Sequence, residues 1–131
     1  MKRRGVLLLE AIAAGVVLGA LLVICVQMLS AAVLQRRAAA QRQWANLELS
    51  NILEQICARP WADLTAEAVA KEQLSPSASA ELPGAELKVE VSIDAKDPSA
   101  KHLTAALRWP DRSGQLGSPV TLSTWKYKIT D

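Results

Sequence analysis

The sequence KRRGVLLLEAIAAGVVLGALLVICVQMLSAAVL, residues 2–34, decides the fold of this 131-residue chain. It begins with a basic cluster and Gly5, and no polar side chain interrupts the segment from Ala11 to Val26. About twenty consecutive apolar residues are enough to cross a bilayer as an α-helix. The stretch therefore predicts a long N-terminal helix whose first part, residues 6–34, spans a membrane.

Glu10 is the exception within this apolar stretch. A carboxylate in hydrocarbon costs a few kcal/mol, so acids within membrane segments are rare and usually have a partner or a function. A cleaved secretory signal has a shorter apolar region, of about 7 to 15 residues, and Glu10 would lie inside it. Ser30-Ala31-Ala32 nevertheless offers the small residues that a signal peptidase requires, so an ordinary secretory signal stays an alternative.

The combination of a basic cluster, Gly5, four apolar residues, Glu10 and a long apolar segment resembles the leader of type IV prepilins and type II secretion pseudopilins. In that family a prepilin peptidase cuts after the glycine, which here implies cleavage between Gly5 and Val6. Val6 and Leu7 stand where the family usually has Phe and Thr, and N-methylation of the Val6 amine is implied as a possibility. The resemblance also implies that Glu10 neutralises the α-amine of Val6 on a neighbouring subunit and so sets the register of assembly.

The charge balance argues against a nucleic-acid partner. The chain has 15 basic and 13 acidic residues, and without the leader, residues 1–5, the count is 12 against 13, a formal charge of −1 with His102 neutral. Binding to nucleic acid depends on basic side chains that neutralise phosphates. No basic excess of this kind is left after cleavage.

The helical pattern continues beyond the membrane segment, over residues 35–59. Leu49, Ile52, Leu53 and Ile56 recur at the spacing of one helix face. Pro60 should end the helix, because the residue before a proline is disfavoured in the α conformation. We therefore expect one helix that is apolar all round in its membrane half and amphipathic in its second half.

The remainder, residues 60–131, predicts a small domain with a sheet. Apolar and polar residues alternate from Leu87 to Ile93 and from Leu103 to Trp109, and a third strand is expected from Val120 to Ile129. The inward set of this third strand changes phase before Trp125, which predicts a bulge near Ser123-Thr124. The predicted fold class is α+β, with the long helix packed on a small antiparallel three-stranded sheet, as in the pilin family.

The connection between helix and sheet is predicted from composition. Residues 65–73 are rich in Ala and Glu and predict a short surface helix. Residues 75–79, which are rich in Ser and contain Pro76, predict a loop. Trp61 and Leu64 are expected to fold back onto the apolar stripe of the helix.

No group of residues predicts catalysis, a metal site or a cofactor. Cys25 and Cys57 would lie about 50 Å apart on one continuous helix, far beyond the reach of a disulfide. The loop carboxylates of Asp94, Asp97 and Asp111 are oxygen ligands of the kind that Ca²⁺ prefers, but their spacing matches no calcium loop. The four tryptophans are scattered, which favours packing in the core. We predict a non-enzymatic protein.

The resemblance as a whole implies a minor pseudopilin of a type II secretion system. Trp109 before Pro-Asp-Arg-Ser-Gly, followed by the strand that begins at Val120, is similar to the end of I-type minor pseudopilins. The implied location is the bacterial inner membrane, with a single pass and a periplasmic C-terminal domain, and the implied partners are prepilin peptidase and other pseudopilins or pilins. The alternatives are a minor pilin of a type IV pilus or competence system, and a membrane-anchored or secreted small binding domain.

Overall fold

The computed structural model describes residues 2–129, with side chains from residue 5 onward. Met1, which belongs to the predicted leader, and residues 130–131, which end the predicted small domain, lie outside the described residues, as do the side chains of the basic cluster. The chain forms two compact units, Met1–Ala39 and Ala40–Asp131.

Helix α1 runs from Lys2 to Cys57, and its end just before Pro60 is as predicted. Its length follows from composition, because no glycine or proline occurs between Gly19 and Pro60. In the first unit its large apolar side chains, from Val6 to Leu34, are 41% to 72% exposed. Within residues 2–129, α1 is the one helix that is long and apolar enough to cross a membrane.

The sheet of the second unit has three antiparallel strands in the order β1-β2-β3. They are β1 (Glu86–Ile93), β2 (Ala100–Arg108) and β3 (Val120–Tyr127). The predicted α+β fold, a long N-terminal helix packed on a three-stranded antiparallel sheet, is confirmed.

The core of the second unit lies between the last turns of α1 and the inner face of the sheet. The predicted helix stripe is confirmed, because its side chains are all buried. Cys57, at the end of α1, is half-buried against this core, and Cys25 is exposed in the first unit; both are free thiols. The buried cluster consists of Ala45, Leu49, Ile52, Leu53 and Ile56 of α1, Val89, Leu103, Ala105 and Leu107 of the sheet, and Leu64, Val69 and Leu82 of the connection.

The predicted bulge near Ser123-Thr124 is wrong. Every residue from Val120 to Tyr127 pairs with β2 in an unbroken register. Trp125 therefore lies on the exposed outer face, and Lys126 takes the inward position. The apolar pattern predicted an inward Trp125, but the inward position belongs to Lys126. Its ammonium group is satisfied there because it binds backbone carbonyls at the end of α1.

Two short helices occupy the connection between α1 and the sheet. Helix α2 (Ala66–Val69) lies within the predicted surface helix. Helix α3 (Pro76–Glu81) replaces the predicted loop, so that prediction is wrong. The reason is local: the Ser75 hydroxyl accepts a hydrogen bond from the Ala78 amide as an N-cap, and proline is well suited to the first helical position.

Candidate functional site

The predicted processing and assembly residues, Gly5, Val6 and Glu10, all lie in the first turns of α1. Residues four apart share one side of a helix, so Val6 and Glu10 face the same way, about 6 Å apart along the axis. Val6 is 64% exposed, and a Cβ built at Gly5 would meet no atom within 4 Å. The rest of the described chain therefore leaves the Gly5–Val6 peptide bond uncovered.

Glu10 is an exposed carboxylate among exposed apolar side chains. Among the side chains that the structure describes, no ion pair involves Glu10. A charge in this position gains most from a positive group that approaches when water is excluded. The α-amine that cleavage before Val6 would release is such a group, on a neighbouring chain or on the same one.

A lysine at the end of the sheet binds the end of α1. Lys126 of β3 donates hydrogen bonds from Nζ to the carbonyls of Cys57 and Arg59. The last carbonyls of a helix have no partner within the helix, and they carry the negative end of its dipole. Lys126 thus supplies both the missing donors and a favourable charge.

A second lysine holds the segment that follows. Lys101 of β2 is the register partner of Lys126, and its Nζ donates to the carbonyls of Trp61 and Leu64 at 3.0 and 2.8 Å. The ammonium also lies 4.6 Å from the centre of the Trp61 ring, in a cation–π contact. Like charges opposite each other in a sheet are unfavourable, and here each lysine is balanced by its own pair of carbonyls. We call Lys101 and Lys126 the lysine pair.

Replacing Lys126 by methionine is expected to lower the free energy of unfolding of the second unit by about 1 to 3 kcal/mol, because charge-assisted hydrogen bonds and a cation at a helix C-terminus are lost. Urea unfolding followed by tryptophan fluorescence measures the change. Lys128→Met is the matched control, since its side chain is exposed and its loss should cost less than about 0.5 kcal/mol. Equal destabilisation by the two variants would contradict the role of Lys126.

Glu48 joins α1 to α3. It is only 8% exposed, and its carboxylate accepts hydrogen bonds from the amide and the hydroxyl of Ser75 at 2.7 and 3.0 Å. The same hydroxyl caps α3, so one buried carboxylate fixes where α3 begins. Sequence reasoning missed this contact, although the signal was an acid beside the apolar stripe together with a Ser-Pro pair.

The candidate calcium ligands Asp94, Asp97 and Asp111 lie in turns, and each carboxylate accepts hydrogen bonds from residues of its own turn. Hydrogen bonds from the hydroxyl and the amide of Ser99 lower the pKa of Asp97 below its ordinary value. The hydroxyl and amide of Ser113 lower the pKa of Asp111 in the same way. Within residues 2–129 no group of three or more His, Cys, Asp or Glu side chains is placed to hold a metal ion.

The tryptophans divide between core and surface. Trp109 packs against the core as predicted, but Trp44 and Trp125 are 40% and 47% exposed. Trp125 stacks on His102 across β2 and β3, with ring centres 4.4 Å apart. This outer face of the sheet therefore carries an exposed tryptophan, which the sequence pattern had assigned to the core, beside a half-buried histidine.

The residues of interest fall into two groups. The predicted processing residues lie on α1 in the first unit and are exposed. In the second unit, the buried Glu48 and the half-buried lysine pair bind other parts of their own chain. Comparison with known proteins adds no family to these observations. A scan against protein-family models finds no match, and searches of the curated proteins and of the solved structures find none.

Proposed function

We propose that this protein is a minor pseudopilin of a type II secretion system, a non-enzymatic subunit that is processed after Gly5 and assembled through its N-terminal helix. The observation that carries the proposal is Glu10, an exposed acid in the apolar part of α1. It follows the basic cluster and Gly5, and four apolar residues separate it from Gly5. Such an acid is costly in a bilayer unless it has a partner. Assembly with other subunits provides one.

The exposed apolar side chains of the first unit support a membrane location. The exposed side chains between Val6 and Leu34 require an apolar environment. Lipid provides it before assembly, and the helices of neighbouring subunits provide it afterwards. Lys2, Arg3 and Arg4 support a cytoplasmic N-terminus, since basic residues stay on that side of a bacterial inner membrane. The second unit is then periplasmic.

The proposed register mechanism is electrostatic. Cleavage gives Val6 a free α-amine, and the carboxylate of Glu10 neutralises it, so that neither charge stays alone in a medium of low dielectric. Because Val6 and Glu10 share one side of α1, the pair can form between neighbouring chains or within one chain. Pairing between chains places each new subunit at a fixed step along its neighbour, and this is the form we propose.

The buried Glu48 and the half-buried lysine pair of the second unit support a structural role. The carboxylate of Glu48 and the ammonium groups of the lysine pair all bind backbone or side-chain groups of this chain. The lysine pair stabilises the packing of the helix on the sheet and Glu48 fixes α3 against α1, and the proposal gives none of them a part in a reaction. The small domain then serves as a rigid body that the helix carries into the pseudopilus.

The mature N-terminus tests this proposal. The protein should be extracted from membranes of cells with and without a prepilin peptidase, and its N-terminus read by Edman degradation or mass spectrometry. We expect Val6 as the first residue, with or without one added methyl group, only where the peptidase is present. A start near Ala32 would indicate an ordinary secretory signal, and an uncut Met1 in both hosts would indicate a simple anchor; either contradicts the proposal.

A minor pilin of a type IV pilus or competence system would be cleaved in the same way. Its partners differ, so the proteins that cross-link to the processed chain in its own host distinguish the two. Recovery of pseudopilins supports the proposed role, and recovery of pilus subunits supports the alternative. The secretory alternative, a small binding domain, rests on the small residues Ser30-Ala31-Ala32 and is decided by the N-terminus.

A further inference from the structure

Strand β3 is an edge strand with one side unpaired. The strand order is β1-β2-β3, and β3 pairs along its whole length, Val120–Tyr127, with β2 alone. Apart from that ladder, no backbone hydrogen bond among residues 2–129 involves β3. Its outer edge therefore presents a row of free amide and carbonyl groups, which is a template for another strand.

This edge lacks the features that normally prevent strand pairing. β3 contains no proline, and its unbroken register shows that it contains no bulge. Its exposed face carries no charge, because the residues there are Thr121, Ser123, Trp125 and Tyr127. Its single charged residue, Lys126, is turned inward onto the carbonyls at the end of α1. Natural edge strands usually avoid aggregation through such charges, prolines or bulges.

The other edge of the sheet is protected. The exposed face of β1 carries Glu86, Lys88 and Glu90, and α2 packs against the strand. Both features are typical of an edge that is kept from pairing. The contrast between the two edges singles out β3.

We propose that the free edge of β3 binds the β3 edge of a second copy of this chain, in antiparallel orientation, to form one continuous sheet across both copies. Two registers pair nearly the whole strand, one centred on Ser123 and the other on Thr124. In both, Lys126 lies opposite an uncharged residue, Val120 or Leu122, so that no like charges meet. The proposal goes beyond the role in secretion, since it holds for any chain with this second unit.

Cross-strand side-chain pairs favour β3 of a second copy as the partner strand. In the register centred on Thr124, Trp125 lies opposite Ser123 of the second copy and Tyr127 lies opposite its Thr121. Trp125 and Tyr127, which are 47% and 58% exposed in the single chain, gain contacts in this arrangement. Pairs of aromatic with small or β-branched residues stabilise antiparallel sheets.

A single pair of edge strands makes a small interface, so the association is weak between free molecules. Anchoring both copies in one bilayer raises their effective concentration and favours pairing. The test therefore uses the full chain in membranes.

Disulfide cross-linking tests the contact. In a background of Cys25→Ser and Cys57→Ser, Thr124→Cys and Ser123→Cys are each oxidised mildly in membranes, with Lys88→Cys on the other edge as the matched control. Opposite residues of antiparallel strands have Cα atoms about 4.5 to 5.5 Å apart, within disulfide range. We expect covalent dimers from one of the two β3 variants and few from Lys88→Cys. No dimer from either β3 variant, or equal yields from Lys88→Cys, would overturn the proposal.

A charge swap provides an independent test that does not depend on one cysteine variant folding. In the chain without engineered cysteines, Ser123→Lys should lower the amount of a second, differently tagged copy that co-purifies from membranes about fivefold, because the two ammonium groups lie at or beside the two-fold axis in either register. Thr104→Lys is the matched control, since Thr104 is the register partner of Ser123 on the central strand and lies away from the edge. Mixing tagged Ser123→Lys and Ser123→Asp chains should restore the mixed dimer. Loss of co-purification in the control, or no recovery in the mixture, would contradict pairing through β3.

Discussion

Replacing Gly5 by leucine is expected to abolish processing, so that the chain keeps residues 1–5 even where a prepilin peptidase is present. A Cβ at Gly5 meets no atom within 4 Å, so leucine does not disturb the chain's own structure. Leucine also stabilises a helix by about 0.8 kcal/mol relative to glycine, so the substitution does not unfold this part of α1. The loss should therefore arise at the enzyme, and intact mass or gel mobility measures it.

Gly15→Leu is the matched control for this prediction. Gly15 lies in the same helix, and a side chain there also meets no atom within 4 Å. Its replacement changes helix propensity and hydrophobicity by the same amount but lies away from the bond to be cut. Normal cleavage of the Gly5→Leu chain, or equal loss in both variants, would show that Gly5 is not the recognised residue.

Replacing Glu10 by valine is expected to leave membrane insertion and cleavage after Gly5 intact but to lower incorporation into the pseudopilus by more than tenfold. Valine removes a charge that is unfavourable in hydrocarbon, so the variant should insert into the membrane at least as well as the unchanged chain. Without the carboxylate, the α-amine of Val6 on a neighbouring subunit stays unpaired, and a buried charge without its partner costs about 3 to 5 kcal/mol. Co-purification with partner pseudopilins, normalised to the processed chain in the membrane, measures the effect.

Leu9→Val is the control for Glu10, because it is an exposed apolar residue beside it on α1 and carries no charge. It should be incorporated as efficiently as the unchanged chain. Normal co-purification of the Glu10→Val chain would contradict the register mechanism without touching the prediction for Gly5. The two predictions thus separate processing from assembly.

The sequence predicted the parts of the fold that depend on local pattern. The end of α1 before Pro60, the stripe from Leu49 to Ile56 and the three strands all follow from signals within a few residues. Helix α3 also has a local signal, the N-cap Ser75 followed by proline, but the small polar residues around it were interpreted as a loop.

The orientation of β3 was beyond a local pattern. Lys126 faces inward because of carbonyls at Cys57 and Arg59, which lie 69 and 67 residues away in the chain. Glu48 likewise meets Ser75 across 27 residues. Contacts of this kind depend on the packed structure. They allow a polar side chain to take an inward position that the sequence pattern assigns to an apolar one.

The candidate site was predicted from a compact motif, since Gly5, Val6 and Glu10 lie within two helical turns. The motif identifies the residues and their spacing. Their proposed roles involve an enzyme and a neighbouring subunit, so no arrangement within a single chain reveals them. The lysine pair was not predicted, because nothing in the alternation of β2 or β3 distinguishes an inward lysine with partners from a break in the pattern.

The lysine pair has a mechanical consequence for any process that pulls on α1. Its four acceptor carbonyls, at Cys57, Arg59, Trp61 and Leu64, belong to the stretch of backbone that leaves the helix. A tensile load on the helix therefore passes at this point into two adjacent hydrogen-bonded strands, β2 and β3, and bypasses the short helices of the connection. The sheet thus anchors the C-terminal end of α1 mechanically.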